Sequence, residues 1–143
     1  MVKKGIYYGS LPNKLSLGER FKLAREAGLQ GVEIPSDYED EAQVAEIRAA
    51  AAAEGLEIHS VMASTHWQFP LSSTDEEVRA RAVAGIKHAL QVAQWAGADT
   101  VLVVPAVVTE DVSYAAAYDL SHRSLTELLP AAEAVGVALA LEN

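Results

Sequence analysis

The stretch QWAGADTVLV, residues 94–103, ends a helical pattern at Gly97 and begins an apolar run of strand length almost at once. The same junction occurs three more times, around Gly28, Gly55 and Gly136. A Gly just past a helix end adopts the left-handed conformation that caps the last carbonyls. Continuous apolar runs are typical of strands that are buried on both faces. The four junctions therefore predict a repeated helix-to-strand unit.

Five strands and four helices follow when the pattern is extended outward from these junctions. The predicted order is strand 3–9, helix 16–27, strand 31–35, helix 40–54, strand 57–63, helix 74–96, strand 100–106, helix 112–135 and strand 137–142. Because strands alternate with helices over short connections, the order predicts right-handed βαβ units and a parallel sheet. No Gly-, Ser- or Pro-rich linker interrupts it, so we expect a single domain over residues 1–143.

Three local signals refine the helix boundaries. Ser16 with Glu19, and Thr74 with Glu77, have the spacing of a capping box, in which each side chain bonds the other residue's free backbone N–H. Pro130 falls late in the last helix and is expected to kink that helix or split it in two.

Two architectures accommodate this order. A complete doubly wound sheet of the flavodoxin type fits the length, and so does the first half of a (β/α)8 barrel, which takes about 250 residues when complete. The order closes on a strand with no helix after it, and the first strand lacks the Gly-rich phosphate loop of nucleotide-binding sheets. Both features favour the half barrel, an α/β fold of parallel (β/α) repeats that stops after strand five.

The composition excludes several classes of protein. The chain has eleven Lys and Arg against twenty Asp and Glu, which gives a net charge of −9, and it has no Cys. A surface this acidic repels nucleic-acid backbones and anionic lipids. Without Cys there is no disulfide, thiolate metal site or Cys nucleophile. We therefore expect a soluble, cytoplasmic protein that binds neither nucleic acid nor membrane.

A carboxylate ends the last predicted strand. In parallel α/β folds, functional groups lie at the C-terminal ends of the strands. In VALALE, residues 137–142, strand alternation places Ala138, Ala140 and Glu142 on one face. A carboxylate at the end of a small-residue face suits a divalent metal ligand or a general base. An ordinary solvated Glu is the alternative, and the spacing alone favours it.

The connection STHWQFPLSST, residues 64–74, is longer than the roughly 2–6 residues usual in α/β units, which indicates a functional loop. It carries His66, Trp67 and Phe69. An aromatic face suits stacking on a sugar ring, and His can donate to hydroxyl oxygens. Sugar binding and packing at the rim are equally supported for Trp67, whereas packing is favoured for Phe69.

Four further residues near the strands carry weaker signals. His59 lies inside an apolar run and is predicted to be buried and hydrogen-bonded. Tyr7 and Tyr8 point to opposite faces of the first strand, so only one of them can reach the strand ends. Glu33 in GVEIP fits either the lining of a site or an ion pair at the rim, and a structural role is favoured.

Several segments resemble the sugar phosphate isomerase/epimerase family, which is part of the xylose isomerase-like TIM barrel superfamily. They are HWQFPLSSTDEEVRARAVAGIKHALQVAQWAGADTVLVVPAVV at residues 66–108, the closing GVALALEN, the opening GIYYGS and the strand GVEIPS. The resemblance runs over essentially the whole chain and is strongest over residues 64–143. The resemblance is specific enough to identify the superfamily but does not identify a substrate.

This resemblance implies a barrel with one divalent metal ion at its mouth, either Mn, Mg, Co or Zn. Family members hold the ion with ligands at the ends of strands five to eight, and only the first of these, Glu142, maps onto this chain. In the epimerases two glutamates remove and return the proton next to the carbonyl, and Glu142 matches one of them. His66 and Trp67 match a loop that lines the sugar pocket, and Tyr7 matches an aromatic residue near the sugar.

The implied function is that of a metal-dependent isomerase or epimerase acting on a ketose or ketose phosphate through an enediolate. This chain would carry the N-terminal half of the site and would be inactive alone. Two alternatives stay open. One is a non-catalytic half barrel that self-associates into a homo-oligomer. The other is a zinc enzyme resembling endonuclease IV, which needs a basic groove that a net charge of −9 does not favour.

Overall fold

The computed structural model describes residues 3–142, in which five parallel strands form one sheet in the order β1-β2-β3-β4-β5. The strands are β1 (Gly5–Tyr7), β2 (Gly31–Pro35), β3 (Glu57–Met62), β4 (Thr100–Val103) and β5 (Ala138–Leu141). The helices are α1 (Leu17–Glu26), α2 (Glu41–Ala53), α3 (Glu76–Ala96) and α4 (Tyr114–Val135). A doubly wound sheet reverses its strand order at a switch point. The order here runs on without reversal, which confirms the half barrel.

Two strands are shorter than the sequence predicts by three residues or more. The first strand ends at Tyr7, because residues Tyr8–Ser10 form a single turn of 3-10 helix. The fourth strand ends at Val103, so residues 104–113 form an irregular connection before α4. Both changes lengthen the connections that follow the C-terminal ends of the strands.

The helix caps confirm one predicted capping box and correct the other. Ser16 caps α1, and Glu19 reaches back to the Ser16 backbone N–H, as predicted. The cap of α3 is Asp75 instead of Thr74, since the Asp75 carboxylate accepts from the backbone N–H groups of Glu77 and Val78. A carboxylate at the positive end of a helix dipole is a stronger cap than a hydroxyl one residue earlier.

Two other expectations about helix ends can be compared with the structure. Gly97 and Gly136 cap α3 and α4 with φ of 73° and 67°, which confirms the predicted left-handed junctions. Pro130 does not split the last helix, because α4 continues through it to Val135. Leu128 and Ala132, on either side of Pro130, are both buried, so tertiary packing supports the helix through this position.

The core is the layer between the helices and the outer face of the sheet. Strand residues of this layer are Val32, Ile34, Val61, Val101 and Val103, and helix residues are Phe21, Val44, Ile86, Leu90 and Leu128, all fully buried. The opposite face, which we call the inner face, carries small and polar residues and is open to solvent at Ala138 and Ala140. The hydrophobic free energy of folding therefore comes mainly from one side of the sheet.

His59 is exposed, so the prediction that it is buried is wrong. A register shift at Val32 and Glu33 leaves His59 as the extra residue of a bulge in β3. Its ring lies on the inner face over Gly5 and Gly31, where a Cβ atom at either position would collide with it. Within residues 3–142, the ring is left exposed on the inner face.

Over residues 3–142, none of the helices combines the length and the apolar character that spanning a bilayer requires.

Candidate functional site

The predicted site residues lie at one edge of the sheet, because the C-terminal ends of parallel strands meet there. We call this edge the mouth and define it by Tyr7, Glu33, His66, Trp67 and Glu142. Tyr7 ends β1, Glu33 lies on β2, His66 and Trp67 follow β3, and Glu142 follows β5.

The pleat of β1 directs Tyr7 and not Tyr8 to the inner face. Tyr8 packs against Phe21 of α1, with ring centroids 6.0 Å apart, and is therefore on the helix side. Tyr7 lies opposite Glu33 in the register of β1 and β2. Burial, together with the negative charges of Asp37 and Glu33, raises the pKa of Tyr7. Its phenol therefore keeps its proton and can donate a hydrogen bond near neutral pH.

Glu33 is a mouth residue for which the sequence favours a structural role. Its carboxylate is partly buried and accepts a hydrogen bond of 2.7 Å from the Ser60 hydroxyl on β3. No Lys or Arg pairs with Glu33 among residues 3–142, so the ion pair that the sequence allows is not formed there. A carboxylate with one bonded oxygen retains acceptor capacity for hydroxyl groups.

The loop after β3 is fixed to its neighbours by reciprocal hydrogen bonds of serine. The backbone N–H of Ser36 donates to the Ser64 hydroxyl, and the Ser64 N–H donates to the Ser36 hydroxyl, at 3.0 and 2.9 Å. The buried Ser72 hydroxyl donates to the Val107 carbonyl and accepts from the Val107 N–H, at 3.0 and 2.8 Å. These contacts hold both ends of the loop, so His66 and Trp67 are presented by a fixed segment.

His66 is almost fully buried, with 2% of its surface exposed. Its Nδ1 accepts a hydrogen bond of 3.4 Å from the Val104 N–H, so the neutral ring carries its proton on Nε2. Within the described residues, Nε2 has no hydrogen-bond partner. Burial lowers the pKa of His66, and the charges of Glu142 and Glu33 act in the opposite direction. The site therefore contains a neutral imidazole whose Nε2–H donor has no partner among the described residues.

Trp67 is exposed and packs edge-on against the His66 ring, with centroids 5.3 Å apart. With Glu142 it lines a cleft of about 620 Å³. An exposed indole beside a carboxylate can stack on an apolar face of a ligand and leave its hydroxyls to the polar groups. Phe69 packs against the core, as the sequence favours.

Glu142 is positioned by its backbone, since its N–H donates to the Val103 carbonyl at 3.0 Å and extends the pairing of β5 with β4. The side chain is exposed. Over residues 3–142, no group of three or more His, Asp or Glu side chains could hold a metal ion. The described residues alone therefore do not fit a metal, and Glu142 offers a single carboxylate.

Residues 21–143 match the family model described as xylose isomerase-like TIM barrel. The chain belongs to this family. The match runs from within α1 to β5 and therefore includes the mouth residues from Glu33 onward.

Relatives in the family include epimerases of sugar phosphates. The chain is 36% identical over 106 residues to the putative L-ribulose-5-phosphate 3-epimerase SgbU of Escherichia coli (strain K12), covering 68% of this chain and 37% of SgbU. It is 33% identical over 106 residues to the L-ribulose-5-phosphate 3-epimerase UlaE of Salmonella dublin, covering 67% and 37%. The chain thus spans little more than a third of the length of these relatives.

Solved structures of similar fold include sugar epimerases. The D-psicose 3-epimerase of Clostridium cellulolyticum H10 superposes with a TM-score of 0.79 at 22% identity, covering 98% of this chain and 52% of that one. The 3-keto-D-glucoside 4-epimerase YcjR of E. coli has a TM-score of 0.80 at 20% identity, covering 99% and 56%. At this identity the likeness shows the fold, which corresponds to about half of each neighbour.

Proposed function

We propose that this chain supplies the N-terminal half of the active site of a sugar isomerase or epimerase that acts on a ketose or ketose phosphate. The composition of the mouth carries the proposal, because carboxylates, an exposed indole and N–H and O–H donors lie together at the C-terminal edge of the sheet, where parallel α/β folds hold their functional groups. A sugar carbonyl or hydroxyl oxygen is a suitable acceptor. The family membership and the named activities of the relatives support this substrate class.

Four of the five mouth residues have a role in this proposal. Glu142 is the base that removes or returns the proton on the carbon next to the carbonyl, which yields an enediolate. His66 donates from Nε2 to a sugar oxygen, and Tyr7 lies near the sugar with its phenol as a donor. Trp67 covers an apolar face of the ring or carbon chain.

Metal dependence belongs to the same proposal but depends on residues outside the chain. A divalent ion, either Mn, Mg, Co or Zn, would take one ligand from Glu142 and the others from beyond residues 1–143. When bound, such an ion polarises the carbonyl and the neighbouring hydroxyl. The cytoplasmic location stays a prediction from composition.

The first experiment compares the 143-residue chain with the enzyme that also contains the remaining strands. We expect negligible epimerase activity on a ketose for the chain alone with divalent metal present, because Glu142 alone cannot both remove the proton from one face of the carbon and return it to the opposite face. Measurable turnover by the chain alone would contradict the half-site proposal.

The second experiment tests Glu142 in the longer enzyme. Glu142→Gln should abolish turnover and weaken metal binding, since the amide keeps the shape but loses the basic oxygen. Glu133→Gln, an exposed Glu at the far end of α4, is the matched control and should leave both unchanged. Retained turnover in Glu142→Gln would refute its assignment as the base.

A further inference from the structure

Helix α3 contains a glycine against which a residue of the loop after β3 packs directly. A Cβ atom placed on Gly85 would collide with the hydroxyl oxygen of Thr65 and would lie 3.1 and 3.2 Å from the Cβ and Cγ2 atoms of Thr65. The Thr65 side chain therefore occupies the space that a side chain at position 85 would need. We call this the Thr65–Gly85 contact.

The helix itself does not require a glycine at position 85. Gly85 lies in the middle of α3 and is not among the glycines with a positive φ. Inside a helix, Gly is less favourable than every residue except Pro, because it has the most conformational freedom to lose. Gly18 in α1 offers a contrast, since no described atom lies within 4 Å of a Cβ atom placed on it. The need that Gly85 meets is therefore space for Thr65.

Thr65 begins the turn that carries His66 and Trp67. Its carbonyl accepts from the backbone N–H of Gln68 at 3.1 Å and from that of Phe69 at 2.8 Å. Threonine has two heavy atoms on Cβ and therefore little freedom at χ1. Because the Thr65 side chain is fixed against α3, the start of the turn is fixed as well.

The position of His66 is sensitive to any movement of this turn. Its buried ring accepts from the Val104 N–H at 3.4 Å, which is longer than most hydrogen bonds of this kind. Further separation of the ring from Val104 would break the bond. Trp67 packs edge-on against the same ring, so the two side chains depend on one position of the turn.

The same side of α3 also contacts the loop after β2. His88 lies three residues beyond Gly85, and residues three apart lie on the same side of a helix. Its Nε2–H donates to the Tyr38 carbonyl at 2.9 Å. Because the loop after β2 has its own contact with α3, a change at Gly85 acts first on the loop after β3.

We propose that Gly85 is a positioning residue of the mouth. By leaving space for Thr65, it sets the places of His66 and Trp67, and it acts only through Thr65. The part of this inference that concerns sugar binding rests on the proposed function, which assigns sugar contacts to His66 and Trp67. The Thr65–Gly85 contact itself does not, because both residues belong to one βα unit of the described chain.

Gly85→Ala in the 143-residue chain tests the positioning, with NMR as the measurement. We expect the resonances of the His66 ring and the Trp67 indole to shift, because Thr65 must move away from the new methyl group. Gly18→Ala is the matched control, since it makes the same change where the described atoms leave space, and it should leave both resonances unchanged. Unchanged His66 and Trp67 resonances in Gly85→Ala would overturn the proposal.

Thr65→Ala provides a rescue of Gly85→Ala. It removes the Oγ1 and Cγ2 atoms and leaves only the Cβ atom, whose 3.1 Å contact a small shift relieves. The double variant should therefore show the His66 and Trp67 resonances of Thr65→Ala alone. If Gly85→Ala does not fold, as circular dichroism would show, the same comparison is made with the double variant. A double variant that is perturbed as strongly as Gly85→Ala, or that also fails to fold, would overturn the proposal.

Kinetics of the longer enzyme separate the positioning from the proposed function. Gly85→Ala should raise KM for the ketose about tenfold and change kcat by less than about threefold, because sugar contacts are lost while Glu142 on β5 is left in place. The double variant should return KM to within about threefold of the Thr65→Ala value. Shifted resonances with an unchanged KM would support the positioning and overturn the sugar contacts proposed for His66 and Trp67.

Discussion

The mouth and the exposed apolar side chains of α4, Tyr114, Tyr118 and Leu129, which we call the α4 stripe, differ in whether their side chains have partners within the chain. At the mouth, polar side chains are held by partners on neighbouring strands, as in the Ser60–Glu33 bond and the reciprocal bonds of Ser36 with Ser64. Along α4, tyrosine and leucine side chains are presented to solvent.

This difference separates a prearranged site from an uncovered surface. Polar groups that are fixed before a ligand arrives reduce the entropy lost on binding. Exposed apolar groups gain free energy only when another surface removes them from water. The mouth is therefore suited to a small polar ligand, and the α4 stripe is suited to a protein surface.

The largest expected effect separates the layer beneath the mouth from the α4 stripe. Ile34 is fully buried on β2 beside Glu33, and Ile34→Ala should lower the free energy of unfolding by about 2–5 kcal/mol through lost burial and a cavity. Leu129→Ala, at a half-exposed position, should change it by less than about 0.5 kcal/mol in dilute solution. Urea denaturation measures the free energy of unfolding of both variants. Equal losses in the two variants would contradict the difference between the buried layer and the exposed side of α4.

A smaller effect is expected where serine fixes the loop after β3. Ser72→Ala removes the group that both donates to and accepts from Val107, and should lower the free energy of unfolding by about 1–3 kcal/mol. Ser73→Ala is the control, because its hydroxyl accepts a single bond from the Asp75 N–H near the surface. If the two variants were equally stable in urea, the loop would not be held through Ser72.

The smallest expected effect is a pH dependence of stability that arises at His66. Burial lowers the pKa of the folded ring below its ordinary value of about 6.5. The contribution of the neutral His66 ring to the free energy of unfolding is complete above about pH 6.5. It is lost as the pH falls from there to the pKa of the folded ring, because the ring of the unfolded chain takes up a proton first. His66→Gln should reduce this loss between pH 7.5 and 5.

Two measurements check the His66 prediction. Urea denaturation of the wild type and of His66→Gln at both pH values shows how much the free energy of unfolding changes with pH in each protein. NMR titration of the His66 ring gives its pKa. A ring that titrates above 6.5 or so would show that the charges of Glu33 and Glu142 outweigh burial.

Local signals in the sequence predict the elements well but place some ends wrongly. Four glycines and four apolar runs identify the repeat, because helix capping and strand burial depend on residues close in sequence. The cap of α3 is missed, since Thr74 and Asp75 both precede the helix and their geometry decides which one caps it. His59 is missed because a bulge and an open inner face are not visible in an apolar run.

The candidate site is predicted less completely than the fold. The sequence suggests His66 and Trp67 through loop length and residue type, and Glu142 through strand alternation. The contact between Glu33 and Ser60 is not predicted, because the two residues lie 27 positions apart and become neighbours only when β2 pairs with β3.

The sequence by itself determined the α/β repeat and the residue types at the strand ends, and it favoured the half barrel over the doubly wound sheet. These follow from local capping, from periodicity and from the rule that parallel strands share one functional edge. Only the tertiary structure decided the strand order, the choice of Tyr7 over Tyr8 for the inner face, and the burial of His66 with its Nε2 unpaired. The reason is that these features depend on contacts between strands and loops far apart in the chain, and such contacts leave no periodic trace in the sequence.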